Sequence, residues 1–126
     1  MFRDLIPPFT GRRAAAMALA ALTATPALAD MSPVTDRARF LELVQGRTLS
    51  RPLVNLQVGA DGTISGSGAG WNVSGSWSWQ DGYFCRDLNW GGDDLGYNCQ
   101  LVTADGDRIR FTEDRGAGRT AGFTLN

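Results

Sequence analysis

The sequence contains no histidine and no lysine. Without histidine there is no Ser-His-Asp or Cys-His arrangement to activate a nucleophile, and no imidazole to hold zinc or copper. Without lysine, neither Schiff-base chemistry nor a Walker-type phosphate loop is available. Thiols are scarce as well: Cys85 and Cys99 are the whole supply, and joined to each other they leave no thiolate nucleophile. No run approaches the roughly 20 consecutive apolar residues that a stable membrane span needs. The chemistry that remains belongs to carboxylates, arginines, hydroxyls and aromatic rings.

The ends of the chain carry different information. Arg3, Arg12 and Arg13 precede an uncharged, Ala- and Leu-rich run from Ala14 to Thr25. Pro26 interrupts that run just before Ala27-Leu28-Ala29, which sets small side chains at the −3 and −1 positions of a signal-peptidase site. Residues 1–29 are therefore expected to be a cleavable export signal, with cleavage before Asp30, a periplasmic or secreted destination, and no membrane span afterwards. Arg12-Arg13 leaves twin-arginine export open beside the general route. Three of the 12 arginines and one of the 13 acidic residues fall before Asp30, so the remainder has a formal balance of −3. Its arginines form no basic stripe, and nucleic acid is not an expected partner.

Beyond the signal the chain divides into a short tail, 30–34, and one domain, 35–126. Thr35 as N-cap, Asp36 in the first turn, Phe40, Leu41 and Val44 at helical spacing and Gly46 as stop predict a helix over 36–45. After Gly46 the period changes to two. Asp61-Gly62, Asp81-Gly82 and Asp105-Gly106 mark hairpin turns. Trp71, Val73, Trp77 and Trp79 alternate with Asn72, Ser74, Ser76 and Ser78, one apolar and one polar face of a strand. About seven strands are predicted, over 47–58, 63–68, 71–79, 83–90, 97–104, 107–113 and 119–125. The expected fold is mainly β: an antiparallel meander curled into a small barrel or half-barrel, with the amphipathic helix covering an open end or edge. Gly66, Gly68, Gly70 and Gly75 suit the bends of such a sheet. In an oxidising compartment Cys85 and Cys99 are expected to form a disulfide between adjacent strands. Closing that loop stabilises a small domain by roughly 3 kcal/mol.

Several polar features compete for a role. Gly66-Ser67-Gly68-Ala69-Gly70 joins strand to strand, which excludes the dinucleotide-binding loop it superficially suggests. Asp87, Asn89, Gly91, Gly92, Asp93, Asp94 and Asn98 crowd the segment between the cysteines. Oxygen ligands on a glycine-bearing loop suit calcium, but the spacing matches no EF-hand and the same residues build ordinary turns, so no metal or other cofactor is expected. Paired carboxylates among Asp87, Asp93, Asp94, Glu113 and Asp114 are the only route to hydrolysis, and solvation or ion pairs with Arg86, Arg110 or Arg115 are their ordinary employment. Arg86 is expected to pair with Asp87 or Asp114. Trp71, Trp77 and Trp79 read as core. Trp90, followed by Gly91-Gly92, is expected to be exposed at a loop tip. Trp90, Asp87, Asp93, Asp94 and Arg86 thus form the expected binding surface.

The segments Gly75-Ser76-Trp77-Ser78-Trp79, Asp81 to Arg86, Asn98-Cys99-Gln100 and Asp114 to Gly118 resemble a family of small exported bacterial proteins of unknown function, over most of the chain after residue 29. Some members of that family carry the label dihydrodipicolinate reductase. That enzyme resembles a cytosolic Rossmann protein with histidine and lysine in its active site, and its activity is not carried over to a chain lacking both. In layout the chain is also similar to small periplasmic β-barrel inhibitors of secreted metalloproteases. That likeness implies a free N-terminal tail, here Asp30 to Val34, entering a protease. The expectation is a monomeric, non-enzymatic binding or interaction barrel whose partner is a protein or small ligand of the cell envelope. A protease inhibitor and a carboxylate-only hydrolase are the alternatives.

Overall fold

The computed structural model describes residues 31–126, so the expected export signal at 1–29 lies outside the described residues. In chain order the elements are β1 (Ser32–Val34), α1 (Arg37–Val44), β2 (Leu49–Arg51), β3 (Val54–Val58) and β4 (Thr63–Gly68). They continue as β5 (Trp71–Gln80), β6 (Tyr83–Trp90), β7 (Asp93–Asp105), β8 (Arg108–Thr112) and β9 (Thr120–Leu125). From β2 onward each strand pairs antiparallel with the next, and β9 returns to β2 through Leu49 opposite Leu125. The result is a closed, eight-stranded up-and-down barrel rather than a half-barrel.

Local chemistry explains where the elements begin and end. Asp36, not the expected Thr35, caps α1: its carboxylate accepts the Arg39 amide at 3.1 Å. The stretch 47–58, expected as one strand, is two. Pro52 cannot donate to a ladder and presets φ for a tight turn, while Leu53 takes the left-handed conformation (φ 67°) and lets Arg51 face Val54. Part of the expected tail is also a strand, because Ser32–Val34 pairs with Val102–Ala104 of β7. Asp61-Gly62 and Asp81-Gly82 lie in hairpin turns as expected; at the third pair Asp105 ends β7 opposite Arg108, and the turn residues are Gly106-Asp107. At the first, Asp61 accepts from the Thr63 amide and hydroxyl at 3.1 and 2.7 Å, and these bonds hold its carboxyl below the usual aspartate range.

The side-chain period of two sorts the barrel into an inside and an outside. Val73 and Trp77 of β5, Phe84 of β6, Val102 of β7, Ile109 and Phe111 of β8 and Leu125 of β9 are buried in its interior. Asn72, Ser74, Ser76 and Ser78 of β5 and Arg108 and Arg110 of β8 face outward and are exposed. That is the reverse of a lipid-embedded barrel, whose outward band is apolar. No helix among the described residues is long and apolar enough to cross a membrane.

The helix closes one end. Arg37 donates to the Ala60 carbonyl at 3.2 Å and the Trp79 indole donates to the Thr35 carbonyl at 3.3 Å, which ties α1 to the end formed by the Asp-Gly turns. From α1, Phe40 projects inward and is fully buried. Its ring lies 5.4 Å from Trp77, 5.1 Å from Trp79, 5.1 Å from Phe84 and 6.3 Å from Phe111. Truncating this plug leaves a cavity among four aromatic rings. The variant Phe40→Ala is expected to lose about 3–5 kcal/mol of stability, measured by urea unfolding followed through tryptophan fluorescence.

Candidate functional site

The opposite end of the barrel has no plug. There the turns Pro52-Leu53, Ala69-Gly70 and Gly91-Gly92 and the 3-10 turn Asp114–Gly116 surround a cup of about 370 Å³. Volumes of about 300–1,000 Å³ are typical of small-molecule sites. Its apolar wall includes Val54, Leu56, Leu88, Trp90 and Phe123. Trp90 is held by a bond from its indole N–H to the Gly68 carbonyl at 3.2 Å. Gly68 is required for that contact, since a Cβ there would overlap the indole ring.

Three polar side chains interrupt the apolar wall on one side: Arg86, Gln100 and Glu113. They meet where the wall is low. β8 pairs with β7 only from Leu101 to Asp105, so β7 from Asp93 to Gln100 has β6 as its ladder partner on one side alone. Arg86 is 7% exposed, and one of its terminal nitrogens donates to the Gly96 carbonyl at 2.8 Å. Its other terminal nitrogen stands 3.7 Å from Glu113, which is also 3.7 Å from Arg119. Burial lowers the basicity of the Arg86 guanidinium, opposed first by Glu113 and then by Asp87 acting from the outer face. An arginine remains a cation under these conditions. Gln100 is 7% exposed, and its side chain makes no hydrogen bond among the described residues. An unpaired buried amide costs roughly 1–3 kcal/mol. The cup therefore presents a buried cation with open donors beside an amide with open donor and acceptor positions.

The residues expected as a binding surface fall in different places. Arg86 lies in the cup, but its carboxylate neighbour there is Glu113, not Asp87 or Asp114; Asp114 instead accepts from Asn98 at 2.9 Å. Asp87 is exposed on the outer face of β6. Asp93 and Asp94 stand exposed at the β6–β7 hairpin, where Asp94 accepts the Gly96 amide at 2.8 Å in an ordinary turn bond. No group of three His, Cys, Asp or Glu side chains among the described residues is placed to hold a metal. Trp90 is not an exposed tip residue; it sits on the inward register of β6 and is half-buried. Trp71, expected in the core, is 61% exposed on the rim. Both exchanges come from strand ends: β6 runs to Trp90 and keeps it facing in, whereas β5 begins at Trp71, beyond the depth of the core. Cys85 and Cys99 face each other across β6 and β7 and form the disulfide, with Cα atoms 3.8 Å apart.

Gln100 was not singled out by sequence reasoning, and Glu113 only as one of five carboxylates, yet a signal existed. Gln100 shares the inward register of Val102 and Ala104, Glu113 that of Ile109 and Phe111, and Arg86 that of Phe84 and Leu88. A polar residue in an otherwise apolar register marks an interior polar group. Among the cup residues Glu113 is the one carboxylate, so paired-carboxylate hydrolysis has no second group there. Comparison with known protein families, with curated proteins and with solved structures found no match to this chain.

The variant Gln100→Leu removes an unpaired amide without opening a cavity. Its melting temperature is expected to equal or exceed that of the wild type, by up to about 1 kcal/mol of added stability; a structural hydrogen-bonding role for Gln100 would make it fall.

Proposed function

We propose that the protein is an exported barrel that binds a small, mostly apolar molecule in its open cup. The observation that carries this reading is the cup itself: a largely apolar hollow with convergent polar groups, Arg86 and Gln100, buried on its wall. A barrel whose interior were only a core would fill that volume with side chains, as small barrels ordinarily do. Instead, packing is dense at the helix end and stops short of the rim. The rim supports the same reading, because Leu53, Trp71 and Leu95 stand exposed around it and extend the apolar surface outward.

Export is supported by the pattern of residues 1–29 and by a disulfide that suits an oxidising compartment. The protease-inhibitor alternative needs a free N-terminal tail. With Ser32–Val34 paired to β7, cleavage before Asp30 would leave two residues ahead of the strand, and the ligand-cup reading is preferred.

Two outcomes test the proposal. Export predicts that the protein recovered from the periplasm or medium begins at Asp30 and carries no free thiol, measured by intact mass before and after alkylation. Binding in the cup predicts that the neutral dye Nile red gains fluorescence on mixing with the protein and quenches Trp90. The variant Ala121→Phe, which fills the cup from β9, should weaken that binding about tenfold or more while unfolding cooperatively.

A further inference from the structure

Resting on the cup as a ligand site, we propose that its ligand is a single-chain amphiphile with a carboxylate head, held by Arg86 and Gln100 while the chain lies against Leu56, Leu88, Trp90 and Phe123.

The head group follows from the open valences of the wall. A guanidinium carries five N–H donors. Of those on Arg86, one is used on Gly96 at 2.8 Å. Glu113, at 3.7 Å, is well beyond the roughly 2.7–2.9 Å of a charge-assisted bond. It is as close to Arg119, so it can stay with that exposed arginine when another anion reaches Arg86. A carboxylate offers two oxygens in the geometry that the arginine fork accepts, and the Gln100 side chain, 7% exposed and unpartnered among the described residues, supplies a further donor. A neutral hydroxyl head would satisfy Gln100 but bring no charge to the buried cation. A cationic head would meet Arg86 in a low-dielectric wall, where like charges repel most strongly.

The tail follows from the shape. A cup of about 370 Å³ is near the small end of ligand sites, which suits one alkyl chain rather than two. Its wall away from the three polar residues is aliphatic and aromatic apart from Arg51, which is exposed with its guanidinium 5.7 Å from the Phe123 ring. The exposed Leu53, Trp71 and Leu95 continue the apolar surface past the mouth. Arg86, Gln100 and Glu113 stand on the side where the short β8 leaves the wall low, so the head has access to solvent on entry.

The test is displacement of Nile red from the purified protein by dodecanoate, dodecanol and dodecyltrimethylammonium, each kept below its micelle-forming concentration. Dodecanoate is expected to bind about tenfold tighter than dodecanol, and the ammonium amphiphile more weakly than either. Arg86→Gln should erase the preference for dodecanoate. Gln100→Leu, which does not depend on removing a buried charge, should weaken dodecanoate several-fold without lowering the melting temperature. Equal binding of dodecanol and dodecanoate overturns the carboxylate assignment but leaves the ligand cup intact. So does a preference that survives in Gln100→Leu and in a folded Arg86→Gln. Displacement by none of the three, with Nile red still bound in an Ala121-sensitive way, rules out the amphiphile. Failure of Nile red itself to bind would instead remove the cup reading, and this inference with it.

Discussion

The burial of Phe40 is the contact on which the rest of the architecture depends. An up-and-down barrel of eight short strands encloses too little volume to be stable as an open tube, and one end has to be sealed by apolar side chains. Here Phe40, with Leu43 and Val44 buried beside it on the same eight-residue helix, seals that end, its ring lying among Trp77, Trp79, Phe84 and Phe111. Because the helix seals the end that carries the Asp-Gly turns, the other end is free of it. The division of the molecule into a dense floor and an open cup is thus a consequence of one packing decision near the start of the described chain.

The wall of the cup combines two physical demands that usually conflict. Removing a guanidinium from water is expensive unless it is paired and hydrogen-bonded. Arg86 has one good carbonyl partner and one carboxylate held at a distance. Gln100 nearby is buried with its amide unpaired among the described residues. Such incomplete satisfaction is a poor way to stabilise a domain of this size and an effective way to recognise something polar that arrives from outside. The disulfide lies on the outer face of the same two strands, β6 and β7, that carry Arg86 and Gln100. It fixes their register at the level of the polar cluster, since the Cys85–Cys99 pair stands on the ladder between the Arg86–Asn98 and Phe84–Gln100 pairs.

Much of the fold was legible from local chemistry. The hairpin turns at Gly62, Gly82 and Gly106, the alternation along Trp71 to Trp79, the helix around Phe40 and the cysteine pair all have short-range causes: positive φ, the pleat, helical spacing and the adjacency of two strands joined by one hairpin. Where reading from sequence went astray, the cause was not local. Ser32–Val34 has no strong strand character and is a strand because the C-terminal part of β7, near the helix end, offers it an open edge. Arg86 has carboxylates close by in sequence, yet its cup partner Glu113 comes from a different strand, and only the tilt of a closed barrel brings the two together. Trp71 and Trp90 exchanged places for a related reason: period two gives the face on which a side chain points, but not how far along the barrel axis it sits.

The amino-acid sequence by itself determined that the domain would be a stapled antiparallel meander, and its lack of histidine and lysine excluded whole classes of catalysis. Both are properties of residue type and near-neighbour spacing. Whether the meander would close, which end would be plugged, and which polar residues would face one another across the interior were decided only by tertiary structure. Those outcomes depend on the pairing of β9 with β2, separated by most of the domain, and on the stagger of strands around the barrel. Neither is encoded in any short stretch of the chain, because each is a property of the sheet as a closed object.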